Sequence, residues 1–104
     1  MTIPQQTLSM FLAELSAQNP TPGGGAVASV LSALSSSLAN MVVAYSTGKA
    51  SLAEHEQLHR DCKIFLESAA NKALVLAEAD AEAYKKASPV IDCYSKKMKL
   101  LGPA

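Results

Sequence analysis

Apolar and small residues recur along this chain at helical spacing and almost nowhere in strand-like alternation. Leu8, Phe11, Leu12 and Leu15 fall at i, i+3, i+4 and i+7, which predicts a short first helix opened by Thr7 or Gln6. It stops by Asn19, because Pro20 and Pro22 forbid continuation. The turn Pro20-Thr21-Pro22-Gly23-Gly24-Gly25 then leads into an uncharged run, predicted as a second helix from about Gly25 to Tyr45, with Gly48 at its C-cap. In that run Gly25, Ser29, Ala33 and Ser37 repeat every four residues, beside a second row of Ser32, Ser36 and Asn40. Rows of small residues let a neighbouring helix approach closely. Val27, Val30, Leu31, Leu34, Leu38, Met41 and Val42 supply bulk on the other side, so the helix needs cover all round.

Ser51 and Glu54 have the spacing of a capping box, which predicts the start of a third helix there. No Gly or Pro interrupts it before Pro89, giving a length of about 54 Å. At about 100° per residue its apolar arc runs through Leu58, Cys62, Phe65, Ala69, Ala73 and Leu76 and lands on Asp80 and Tyr84. Glu67, Glu78, Glu82 and Lys85 are assigned to the solvated side. Ser88-Pro89 reads as a cap and first helical position, opening a fourth helix with Ile91, Tyr94, Met98 and Leu101 as its stripe and Gly102-Pro103 as its stop. The expected fold is therefore all-α, an antiparallel helical bundle of about four helices around one long central helix. It forms a single domain over residues 1–104, and the missing cover comes from oligomerisation.

Composition narrows the class. Hydrophobic residues make up 49% of the 104, but aromatics only 5% with no Trp, so the apolar content is mostly alanine and small aliphatics suited to close helix packing. Lys and Arg total 9 against 9 Asp and Glu. That balance lacks the basic footprint of a nucleic-acid binder. No charge occurs between Glu14 and Lys49, but Ser29, Ser32, Ser35, Ser36, Ser37 and Asn40 are costly in lipid and neither flank is strongly basic. A helix buried in protein is expected rather than a membrane span. The N-terminus lacks a basic start and an apolar core, and Cys62 and Cys93 have neither metal nor redox spacing. Reduced thiols in the cytoplasm follow.

Candidate chemistry is sparse. Three successive glycines free the backbone at the turn, and the second helix would aim its unpaired N–H groups and positive dipole end at whatever lies over them. Asp80 is the acid that breaks the apolar arc of the long helix. A carboxylate there costs several kcal/mol unless it is paired or hydrogen-bonded. It is either a polar partner of the serine-rich helix or a group placed for proton transfer. His55-Glu56-Gln57-Leu58-His59 matches H-E-x-x-H, but a metal site needs a third ligand. Glu78 lies about 28 Å along the helix from His59, and no metal is expected. Thr47-Gly48-Lys49 fails as a phosphate loop, since Val43 replaces the required glycine and Ala50 follows the lysine.

Two of these segments together carry a resemblance. Asn19-Pro20-Thr21-Pro22-Gly23-Gly24-Gly25-Ala26-Val27-Ala28, followed at distance by Ala79-Asp80-Ala81-Glu82-Ala83-Tyr84, is similar to the cyclodeaminase/cyclohydrolase family of folate one-carbon enzymes. The resemblance implies an all-helical homodimer, or a higher self-association, that takes a tetrahydrofolate derivative as substrate. Cyclodeaminases of the family close 5-formimidoyltetrahydrofolate to the 5,10-methenyl form with release of ammonia. Its cyclohydrolases open the methenyl bridge with water towards the 10-formyl form. By the same resemblance Asp80 would be the general acid/base, Pro22, Gly23, Gly24 and Gly25 would line the folate pocket, and Tyr84 would join them. Lys49 would attract the anionic glutamate tail. The family's domain usually continues with further helices after the D-A-E-A-[FY] segment, where this sequence has one short stretch. The competing expectation is a non-catalytic oligomeric helical module that keeps only the packing motifs.

Overall fold

The computed structural model describes residues 1–102, and among these it contains helices and turns but no strand. A 310 turn at Ile3–Gln5 precedes α1, Leu8–Ser16. α2 spans Gly24–Ser46, and a second 310 segment, Ala50–His55, leads into α3, Glu56–Leu100. Thr7 caps α1 as expected, its side-chain oxygen accepting from the Met10 N–H at 3.1 Å. α2 ends at Thr47 followed by Gly48 at φ 81°, the left-handed geometry that favours glycine.

Antiparallel α2 and α3 form a hairpin, and its contact is made of small side chains. Ala26 and Ala33 are buried on α2, with Ser29, Val30, Ser36 and Asn40 half-buried around them. Ala73, Ala77 and Ala81 are buried on α3. Alanines every four residues let the axes approach closely, so the expectation of small-residue packing holds. The phase expected for the long helix does not. Phe65 is 71% exposed, Leu58 58% and Leu76 60%, because a close contact buries alanines and turns the large side chains aside.

Two other expectations are corrected. Ser51 and Glu54 form no capping box; they lie in the 310 segment, where Leu52 leaves helical geometry at φ −119° and ψ 16°. The carboxylate that secures this corner is that of Glu56, which accepts from the Gly48 N–H at 2.9 Å. Among the described residues there is no separate fourth helix, since α3 runs 45 residues with Pro89 inside it. Proline removes one backbone hydrogen bond there. From Pro89 to Gly102 every residue is exposed, so no packing holds a new helix direction. Gly102 takes φ 74°, and Pro103 lies outside the described residues.

The hairpin is long, 70 × 30 × 19 Å. α2 spans about 33 Å between its first and last residues, so the C-terminal part of α3 projects beyond the glycine turn. One chain does not cover α2 on all sides, as its small-residue and bulky faces led one to expect. Leu31, Leu34, Leu38, Met41, Val42 and Tyr45 are exposed. α2 is long and apolar enough to cross a membrane by length and composition.

Candidate functional site

The glycine turn and Asp80 meet. Pro22 is buried, Gly23 half-buried, and Gly24 and Gly25 exposed. The Thr21–Pro22 peptide is cis, and Gly23 sits extended at the N-cap, its carbonyl accepting the first α2 bond from the Val27 N–H at 3.0 Å. The N–H groups of Gly24, Gly25 and Ala26 therefore precede the helical ladder. From α3 the Asp80 side chain comes down on Gly25. A Cβ built on that glycine would stand 2.6 Å from Asp80 Cγ and 2.6 Å from Oδ2, far inside van der Waals contact. Glycine at this position is thus a requirement of the Asp80 carboxylate rather than of backbone dihedrals.

This geometry changes the reading of the turn. Asp80 brings a negative charge to the N-terminal end of α2, where the helix dipole complements it. A second carboxylate at the same spot would be repelled, whereas a neutral carbonyl or pterin oxygen is compatible with the free N–H groups. Asp80 itself is exposed, not facing a closed interior as expected from the arc. Tyr84, one turn further along α3, is 44% exposed. Both belong to an open flank. Lys49 does not join them within one chain, because it lies beyond the far end of α2, about 33 Å from the turn.

Glu78 is the residue that sequence reasoning misplaced. Its Oε2 accepts from the Ile3 N–H at 2.8 Å, tying the N-terminal segment to α3. It stands two positions before Asp80, or about 200° around the helix, so the two acids serve opposite flanks. Beside Glu78 a small polar cavity of about 120 Å³ is lined by Gln6, Glu14, Thr21, Pro22 and Lys85, among others. Gln6 donates to Glu14 at 2.9 Å, while its buried Oε1 finds no partner among the described residues. No signal in the sequence announces a bond across 75 positions. Glu78→Ala is expected to lower unfolding stability by about 1 kcal/mol in a urea titration, with the Asp80 flank unchanged.

The histidines of H-E-x-x-H have ring centroids 6.4 Å apart, and His55 leans on Glu54 at 3.3 Å. Among the described residues no group of three His, Cys, Asp or Glu side chains converges as a metal site. A surface depression of about 650 Å³ runs along α3 past Ile64, Asn71 and Val75 and includes neither Gly25 nor Asp80.

No curated protein and no solved structure matches the chain. One family does, described as formiminotransferase-cyclodeaminase, over residues 7–98. The match takes in the glycine turn and the Asp80 segment that the fold brings into contact, and the chain belongs to the formiminotransferase-cyclodeaminase family.

Proposed function

We propose that the chain is a cytoplasmic folate one-carbon enzyme of the cyclodeaminase or cyclohydrolase type, using the flank shared by Gly25 and Asp80. The observation that carries this reading is the seating of the Asp80 carboxylate against Gly25. It gives one small region both a proton-transfer group and free backbone N–H donors. A tetrahydrofolate derivative is the substrate, its pterin oxygen directed to the N–H groups of Gly24 and Gly25 beside Pro22 and Gly23. Tyr84 offers an aromatic face on the same helix.

Asp80 acts as general acid/base. In the cyclodeaminating direction the second bridging nitrogen of the folate bonds to the formimidoyl carbon. The bond from that carbon to the terminal nitrogen breaks; this nitrogen takes the proton that the attacking nitrogen gives up and a second from the Asp80 carboxyl group, and leaves as ammonia. In the hydrolytic direction the Asp80 carboxylate takes a proton from water as the water oxygen bonds to the methenyl carbon. One carbon–nitrogen bond of the bridge then opens to the 10-formyl form; the proton held by Asp80 goes to the nitrogen released, and the hydroxyl proton of the adduct passes to solvent as the formyl C=O forms. Self-association, as a homodimer or higher, supplies cover that one hairpin lacks.

A titration with 5,10-methenyltetrahydrofolate, followed through the absorbance of the bridge, tests this. Saturable binding between about 1 μM and 1 mM, with loss of the chromophore on turnover, is expected. Folded protein that neither binds nor bleaches the compound would leave a non-catalytic helical module in its place.

A further inference from the structure

The part of α3 that projects past the glycine turn differs in charge from the rest of the chain. Residues 83–102 hold five of the nine basic residues, Lys85, Lys86, Lys96, Lys97 and Lys99, against one of the nine acids, Asp92. A chain of zero net charge is thereby split into a basic end and an acidic body. Among the described residues only Lys85 of the five has an acid within reach, Glu82 at 3.9 Å. The end is also amphipathic. At about 100° per residue, Val90, Ile91, Tyr94, Met98 and Leu101 share an arc about 100° wide. Lys85, Lys96 and Lys99 stand on the opposite side, and Lys86 and Lys97 border the apolar arc. Every residue from Pro89 to Gly102 is exposed.

We infer that this end of α3 lies flat on an anionic lipid surface, its apolar arc among the headgroups and its lysines on their charges. An apolar arc backed by lysines on one helix is the pattern that settles in the plane of a membrane interface. Lys86 and Lys97 have stems long enough to run along the border of the arc while their ammonium groups reach the headgroup level. Charge also sets the orientation. The body, with Glu67, Glu78, Asp80 and Glu82 on the same helix, is repelled by the surface that attracts the lysines, so only the projecting end settles on it. α2 has no charged residue with which to select anionic lipid and stays outside this contact. None of this depends on a folate at Gly25 and Asp80.

The test is co-sedimentation of the full chain with vesicles of phosphatidylcholine, alone or mixed with phosphatidylserine. At about 0.15 M salt the mixed vesicles are expected to bind at least about tenfold tighter, a difference lost at about 1 M as charges are screened. Lys96→Gln combined with Lys97→Gln is expected to weaken that binding about 30-fold, at about fivefold for each charge on the headgroups. Lys63→Gln with Lys72→Gln removes the same charge from the body, more than a Debye length away, and is expected to change it less than about twofold. Tyr94→Trp places a single tryptophan on the arc of a chain that has none, and its emission is expected to shift to the blue on the mixed vesicles alone. These side chains are all exposed, so circular dichroism is expected to match the wild type throughout. Binding indifferent to phosphatidylserine, a body variant that loses as much as the α3 variant, or a tryptophan that stays in water would each overturn the inference. So would an α3 glutamine variant that loses molar mass by sedimentation equilibrium rather than vesicle binding, because a second copy then occupies this end.

Discussion

Gly25→Ala is expected to cut turnover of the methenyl folate by about 100-fold while leaving the helical fold intact. The added methyl would occupy space already held by the Asp80 carboxylate. That carboxylate is the end of an exposed side chain, so it can swing aside at little cost to the fold. Alanine also raises helix propensity over glycine by about 1 kcal/mol, which offsets what the displacement costs. A displacement of about 1 Å is enough to remove two orders of magnitude from a proton transfer that depends on position. A thermal melt by circular dichroism beside the chromophore assay separates the two effects. A variant with an unchanged melt and full activity would disconnect the Gly25–Asp80 contact from the chemistry.

The same contact marks what could be read from the sequence. Thr7 with Met10 and Gly48 at the end of α2 were legible because capping depends on residues a few positions apart. The all-helical class followed from spacing alone. The phase of α3 was not legible, because weight was given to Leu58, Phe65 and Leu76 as the bulky members of the arc. Two helices that meet through Ala26, Ala33, Ala73 and Ala77 bury the smallest side chains instead. Asp80 was singled out as a buried acid on that arc, and it proves exposed, yet the residue it touches is a member of the glycine turn. Glu78 was assigned to solvent by the same arc and instead holds the N-terminal segment. Pro89 breaks helices where packing supplies an alternative direction. On a bare projection there is none, and local sequence rules cannot register that absence.

Asp80→Asn is expected to lower turnover by about 10²- to 10⁴-fold, the range over which a positioned acid or base contributes. It should change methenyl folate binding by less than about tenfold. The amide has the same shape as the carboxyl group and keeps the space above Gly25 filled, so the turn and the first-turn N–H groups stay as they are. What it cannot do is give up or take a proton at the reacting nitrogen or water. Asp80→Asn and Gly25→Ala therefore fail for different reasons. The first keeps the position and loses the proton; the second keeps the proton and loses the position. If both lose turnover while only Gly25→Ala, which also crowds the turn, weakens binding, the carboxyl group is the catalyst and the glycines are its seat. If Asp80→Asn turns over at the wild-type rate, the proton comes from elsewhere and the general acid/base role of Asp80 falls, although the contact with Gly25 remains as packing. Calorimetric affinity and single-turnover bleaching, measured on the same preparations, distinguish these cases.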